Sequence, residues 1–169
     1  PSHYFMDCYW GEYREGINVV MMYLQNPDPK LLYRLLAVFF RPKKSGEREP
    51  FDERTVDKRA KLFSRYPMGY AFGFFQTLYA FHSYFTSSEV LYEGRNIDLS
   101  IIFTEQPEDT QDNYTIPYPS LGMQSIEYQI AQANVLGNNR DVENTKLWKV
   151  ALTLYDIRKR DLDEKARHK

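Results

Sequence analysis

Residues 66–85 carry the sequence YPMGYAFGFFQTLYAFHSYF, and this stretch gives the strongest indication of the fold class. It contains nine aromatic residues and no formal charge in 20 positions. Pro67 suits the first turn of a helix, and an apolar helix of this length could cross a bilayer. Against a membrane span stand two glycines, few aliphatic residues and the polar side chains Gln76, Thr77, His82 and Ser83. We therefore predict a core helix of a soluble domain, and keep a membrane helix as the alternative.

A second apolar segment lies upstream, at residues 29–41. Asp28 can cap a helix there, Pro29 suits its first turn, and Arg41-Pro42 ends it. The segment is apolar on nearly all sides, through Leu31, Leu32, Leu35, Leu36, Val38, Phe39 and Phe40. A helix without a polar face belongs in the interior, so this helix is predicted to be central.

Two further helices are expected around these segments. Residues 5–25 place apolar side chains at steps of three and four, which is the spacing of one helical face (Tyr9, Tyr13, Ile17, Val20 and Leu24). Residues 42–50 are predicted to form a charged loop. Asp52 then caps a helix at 53–65.

The pattern weakens after residue 86. Ile97, Leu99 and Ile101 alternate, so residues 96–103 fit either a strand or a short helix. Residues 105–119 are acidic and contain three prolines, which predicts a long loop. Beyond it, a helix at 121–136 would be capped by Ser120 and ended by Gly137. A last helix would run from Asp141 to about residue 164.

These elements predict an all-α fold, namely a compact bundle of five or six helices with one long irregular acidic connection. We expect a single helical domain over residues 1–169, with its core at 5–85 and 120–160 and the irregular connection at 86–119. The chain begins at Pro1 rather than Met, which is compatible with a longer or processed product, and its start does not have the pattern of a signal peptide.

Charge and cysteine content narrow the class of protein. The net charge is −1, and the basic zones at 41–65 and 146–169 are balanced by a strongly acidic zone at 86–145. A nucleic-acid binder usually shows a dominant basic face, so a nucleic-acid partner is disfavoured. The single cysteine, Cys8, cannot form an internal disulfide, which fits a reducing compartment.

Residue patterns of known catalytic sites are missing from the sequence. It contains no Gly-rich phosphate-binding motif, and His3, His82 and His168 lack partners at metal-ligand spacing. The paired carboxylates Glu108 and Asp109 lie in the polar loop, where nothing separates their pKa values. We therefore expect no enzyme activity, no cofactor and no metal.

Residues 35–75 combine several short motifs in a recognisable order: Leu35-Leu36-Ala37-Val38-Phe39-Phe40-Arg41-Pro42, Glu49-Pro50-Phe51-Asp52, Arg59-Ala60-Lys61-Leu62-Phe63 and Tyr66-Pro67-Met68-Gly69-Tyr70-Ala71-Phe72-Gly73. This order resembles small helical proteins encoded among the virion and tail genes of tailed bacteriophages, especially those of Bacteroidetes-type hosts. The resemblance covers about a quarter of the chain. It implies a virion component or a tail-assembly factor in the virion or the host cytoplasm, and it carries over no functional residue.

The excess of aromatic residues indicates where partners would bind. Two helices are wider in apolar coverage than one buried stripe requires, and Tyr and Trp are favoured at interfaces. The candidate partner-binding residues are Tyr70, Phe74, Tyr79 and Tyr84 on one helix, and Trp148, Leu152 and Tyr155 on the other. We expect other protein subunits as partners, including further copies of this chain. The alternatives are that these rings fill one core, that the chain is a subunit of a membrane-bound complex using 66–85, or that it associates with nucleic acid.

Overall fold

The computed structural model describes residues 5–103, 123–133 and 135–167. This part of the chain is mostly helical and also contains two small antiparallel hairpins. Its helices are α1 (Trp10–Gln25), α2 (Pro29–Phe39), α3 (Val56–Phe63), α4 (Met68–Ser87), α5 (Ser100–Phe103), α6 (Met123–Gln132), α7 (Asn139–Glu143) and α8 (Leu147–Arg167). The strands are β1 (Lys43–Lys44), β2 (Glu47–Arg48), β3 (Glu89–Tyr92) and β4 (Arg95–Asp98). The predicted helical class is confirmed. The number of helices differs from the predicted five or six, since eight are described.

Helix α2 lies at the centre of the fold and packs against α1, α3 and α4. The side chain of Asp28 accepts a hydrogen bond from the backbone N–H of Lys30 at 2.9 Å, so the predicted cap is present. The buried residues of α2 are Leu32, Leu35, Leu36, Ala37, Val38 and Phe39. Its apolar composition therefore corresponds to a central position, as predicted.

Helix α1 begins at Trp10, five residues later than predicted. The backbone N–H of Tyr9 donates to the Glu12 carboxylate at 2.9 Å, which fixes the start of the helix. Leu24, predicted on the buried face, is exposed, whereas the adjacent Tyr23 packs edge-on against Phe75 at 5.0 Å between ring centroids. Gly16 has a steric role, since a Cβ at this position would lie 2.5 Å from Cε2 of Phe39. A glycine here lets α1 and α2 approach closely.

The two hairpins replace structure that was predicted to be irregular. Ser45-Gly46 joins β1 to β2, and Glu93-Gly94 joins β3 to β4, with positive φ at both residues of each pair. Two-residue loops of this kind form the turns that best match strand twist. The prediction of a charged loop at 42–50 and of an irregular connection from residue 86 is therefore wrong for these segments. Residues 104–119 and Ser120 lie outside the described residues.

The C-terminal helix is interrupted where one continuous helix was predicted. Asn138, not Asp141, caps α7, and Asp141 accepts a hydrogen bond from the Asn138 backbone at 3.0 Å. Helix α8 starts only at Leu147, whose N–H donates to the carbonyl of Cys8 at 2.9 Å. The N–H of Trp10 donates to Thr145 O at 2.9 Å. Because the backbones of Thr145 and Leu147 pair with the start of α1, residues 145–147 cannot form part of a continuous helix.

Candidate protein-interaction surface

Helix α4 has one face in the core. Its buried residues recur at steps of three and four (Ala71, Phe75, Leu78, Phe81 and Phe85). The ring of Phe85 meets Tyr13 edge-on at 5.5 Å and Trp148 at 5.4 Å between centroids. The predicted core helix is correct for this face.

The opposite face of α4 is exposed although it is rich in aromatic rings. Tyr70 is 72% exposed, Tyr79 45%, and Phe72 and Tyr84 40% each. Helix α4 contains no Asp, Glu, Lys or Arg. A large apolar surface without charges on the outside of a domain is typical of a site that contacts another molecule. We call this surface the outer face of α4.

An apolar groove of about 540 Å³ adjoins the start of α4, between α2 and α3. Its lining comes from all three helices, through Leu36, Phe40, Phe63, Tyr66, Tyr70 and Phe74. Phe40 and Phe74 meet edge-on at 5.1 Å, and the Tyr33 hydroxyl donates to the carbonyl of Tyr66 at 3.2 Å. These contacts hold the walls of the groove in place. Its chemistry suits one or two apolar side chains of a partner.

The predicted partner-binding residues separate into two groups. Tyr70, Tyr79 and Tyr84 lie on the outer face of α4, and Phe74 lines the groove, to which Tyr70 also contributes. The prediction for α8 needs correction. Trp148 is buried, stacked with Tyr92 at 6.3 Å between centroids, because the unpredicted β3–β4 hairpin packs over it.

Leu152 and Tyr155 are half-buried and pack against the same core. Helix α8 contributes Leu147, Val150, Ala151 and Leu154 to that core, and Ile157 further along the helix is only partly buried. The outer side of α8 carries charges instead of rings, including the ion pair between Arg160 and Asp156 at 2.5 Å. The exposed aromatic surface therefore belongs to α4 and not to α8.

Sequence reasoning missed a set of buried charges on α1. Glu12, Arg14 and Glu15 are all at least nine-tenths buried. Glu12 pairs with Arg41, which is also buried, and with Arg48 at 3.4 Å. Each buried charge thus has an opposite charge beside it, which is the arrangement that burial requires. The only sequence signal is the placement of three charges between Gly11 and Gly16 in a helix that otherwise packs aromatic residues.

Arg14 forms the second part of this set. It pairs with Glu127 and, at 2.9 Å, with Glu143. Burial raises the pKa of the Glu127 carboxyl, and the positive charge of Arg14 opposes that rise. A polar cavity of about 840 Å³ beside Arg14 also contains Asp52 and Arg54, which pair with each other at 3.0 Å. Three basic and three acidic side chains line this cavity, so it favours no ligand of one sign.

His82 and Cys8 are the remaining reactive groups with described surroundings. The Tyr13 hydroxyl lies 2.6 Å from Nδ1 of His82. Burial lowers the pKa of His82 and raises the pKa of Tyr13, so both groups are held neutral. Burial also raises the pKa of the Cys8 thiol, which disfavours the nucleophilic thiolate. Within the described ranges, no group of three or more His, Cys, Asp or Glu side chains could hold a metal ion.

Comparisons with protein-family models, with curated proteins and with solved structures gave no match for this chain. Across the part of the chain that the structure describes, no helix has both the length and the hydropathy needed to cross a membrane. The outer face of α4 and the adjoining groove are thus the features from which a function can be argued.

Proposed function

We propose that this chain is a non-enzymatic protein-interaction component of a bacteriophage particle or of its tail assembly, acting in the virion or in the host cytoplasm. The observation that carries this proposal is the exposed aromatic surface of α4 together with the apolar groove beside it. Aromatic side chains dominate the binding energy of protein interfaces, because each buries a large area when a partner excludes water.

The phage assignment draws support from the position of the groove. All six residues that line it fall within 35–75, the stretch that resembles phage virion and tail proteins. That stretch forms α3 together with the end of α2 and the start of α4. A family that shares these residues would share the groove, and a groove for an apolar side chain serves subunit assembly.

A nucleic-acid role is less well supported, because basic residues near α3 are used within the fold. Arg59 donates to the backbone carbonyl of Ala37 at 2.9 Å, and Arg34 pairs with Asp57 at 2.5 Å. Side chains that already have partners contribute less to phosphate binding.

The experiment that tests the proposal is co-expression with the proteins encoded by the neighbouring genes, followed by size-exclusion chromatography and calorimetry. We expect the chain to bind a product of a capsid, portal or tail gene. Phe40→Ser removes one wall of the groove and should weaken that binding at least tenfold, roughly the 1.4 kcal/mol or more that a buried aromatic anchor contributes.

Tyr128→Ser is the matched control, since Tyr128 is an exposed ring on α6, away from the groove. It should leave binding unchanged. Equal binding by both variants would contradict the role of the groove. If the unchanged chain binds none of these gene products, the proposed function is wrong.

A further inference from the structure

We infer that the outer face of α4 pairs, antiparallel, with the same face of a second copy of this chain. This inference deepens the proposed function and rests on it, because it names one of the protein partners. The surface involved adjoins the groove at the start of α4 and shares Tyr70 with it, whereas Phe40 belongs to the groove alone.

The centre of the outer face is a stripe of residues at alternating steps of four and three: Gly69, Gly73, Gln76, Ala80, Ser83 and Ser87. Apart from Gln76, all are small. This seven-residue repeat is the spacing at which two helices pack along their length, crossing at about 20°. A Cβ placed on Gly69 or Gly73 would have no described atom within 4 Å. The stripe is therefore open within the described part of the chain, and two backbones could approach closely along it.

Aromatic residues flank the stripe on both sides. Tyr70 and Tyr84 lie on one side with Thr77 between them, and Phe72 and Tyr79 lie on the other, again at seven-residue spacing. An antiparallel copy would place Tyr70 against Tyr84 of the second copy and Gly73 against its Ala80. Both pairings are centred near residues 76 and 77, so a single two-fold axis satisfies both. A surface that maps onto itself in this way fits the isologous contact of a symmetric dimer.

The exposed area of the outer face approaches that of a standard interface. The exposed fractions of Met68, Tyr70, Phe72, Tyr79 and Tyr84 add up to about two and a half complete side chains. At roughly 200 Å² for each large side chain this is roughly 500 Å², and the small exposed residues between them raise it further. A standard interface buries about 800 Å² on each partner. The outer face is therefore close to the size that a specific dimer uses.

The absence of charge favours a second copy over a foreign partner. A surface that meets its own copy brings every charge near its equivalent, and like charges repel across an interface. Helix α4 carries no charged side chain, so this repulsion does not arise. A surface selected for a different protein ordinarily uses complementary charges for specificity.

Analytical ultracentrifugation of the full chain tests the inference. We expect the mass of two chains for the unchanged protein at micromolar concentration. Ala80→Glu places a carboxylate in the stripe, against Gly73 of the second copy, and should give the mass of one chain. Ala166→Glu is the matched control, an exposed alanine near the end of α8, and should remain dimeric. A single-chain mass for the unchanged protein, or a dimer of Ala80→Glu, would overturn the inference.

Disulfide trapping then tests the orientation. Gln76→Cys lies beside the expected two-fold axis and should cross-link two copies on oxidation. Gly69→Cys should not, because residue 69 faces the far end of the second helix in an antiparallel pair. Cross-linking through Gly69→Cys would show a parallel pair and overturn the antiparallel arrangement. The native Cys8 is fully buried and does not compete.

Phe40→Ser separates this inference from the proposed function, because Phe40 lies outside the stripe. We expect Phe40→Ser to stay dimeric while it loses the neighbouring gene product. A dimeric chain that binds no such product contradicts the proposed function alone. A single chain that does bind one contradicts the dimer alone.

Discussion

Helices α4 and α8 are the two longest helices described, with 20 and 21 residues, and both have more apolar residues than one buried stripe requires. In α8 the surplus is covered, since Trp148 lies under the β3–β4 hairpin and the outer side carries ion pairs such as that of Lys159 with Asp163. In α4 the surplus is exposed and no charge accompanies it. Apolar width alone therefore does not indicate an interface, because a neighbouring element can cover it as the β3–β4 hairpin covers α8; in α4 the apolar surface stays exposed and uncharged.

The largest expected effect comes from exchanging a ring on each helix for Ala. Trp148→Ala leaves a cavity among Phe81, Phe85 and Tyr92, and should lower the free energy of unfolding by about 3–5 kcal/mol. Tyr84→Ala removes a solvent-exposed ring and should change the stability of the single chain by less than about 0.5 kcal/mol. Urea unfolding measures both, in the Ala80→Glu background so that dimerisation does not contribute. Similar losses in the two variants would mean that the helices do not differ as described.

A smaller effect distinguishes the two sides of α4 through glycines. Gly16 of α1 lies against Phe39. A Cβ added to Gly16 would also lie 3.2 Å from Cδ2 of Leu78, on the inner side of α4. Gly16→Ala should therefore destabilise the fold by about 1–3 kcal/mol through overpacking.

Gly73→Ala is the matched exchange on the outer side, where a Cβ meets open space. In the Ala80→Glu background it should stabilise the chain by up to about 1 kcal/mol, because Ala favours the helix. Thermal unfolding of both variants provides the measurement. A destabilising Gly73→Ala in that background would show that the outer face is already covered.

The smallest effect concerns pH and His82, which lies beside the inner face of α4. Burial lowers its pKa, so the unfolded chain takes up a proton at a higher pH than the folded chain. The contribution of neutral His82 to the free energy of unfolding should be fully present above the ordinary His pKa of about 6.5. The free energy of unfolding should then decrease as the pH falls below that value.

The melting temperature should therefore fall more between about pH 7.5 and about pH 5.5, on either side of the ordinary pKa, for the unchanged chain than for His82→Asn. Asn keeps a polar group near Tyr13 but does not titrate. Because Glu127 is present in both proteins, the raised pKa of its carboxyl cancels in the difference. Equal pH dependence in the two proteins would exclude His82 as the titrating group.

The parts of the fold that the sequence predicts are those set by local pattern. The apolar run of α2, its cap at Asp28 and the helical nature of α4 follow from neighbouring residues. The burial of Trp148 does not follow from the sequence, because Tyr92, which covers it, lies on a hairpin whose second strand, Arg95–Asp98, has only one apolar residue and whose turn is marked by Glu93-Gly94 alone. The pairing of Arg14 with Glu127 joins residues 113 positions apart, and no periodicity reports such a partner. The sequence thus indicates which aromatic residues are candidates for an interface, but not which of them another element buries, as the β3–β4 hairpin buries Trp148.

The backbone pairing between the start of α1 and the start of α8 has a consequence for folding during synthesis. The Lys146 ammonium donates to the carbonyl of Asp7 at 3.0 Å across 139 positions, and the backbones of Cys8 and Trp10 pair with the same region. Helix α1 therefore leaves the ribosome long before residues 145–147, with which its start pairs, have been synthesised. Contacts between distant parts of a chain delay the final folding step. Until that step, the Cys8 carbonyl and the Trp10 N–H lack their partners at residues 145–147. Phe5 and Asp7 are held earlier, by the ring of Phe39 and by Arg48, so the pairing with the start of α8 is the last contact of this segment to form.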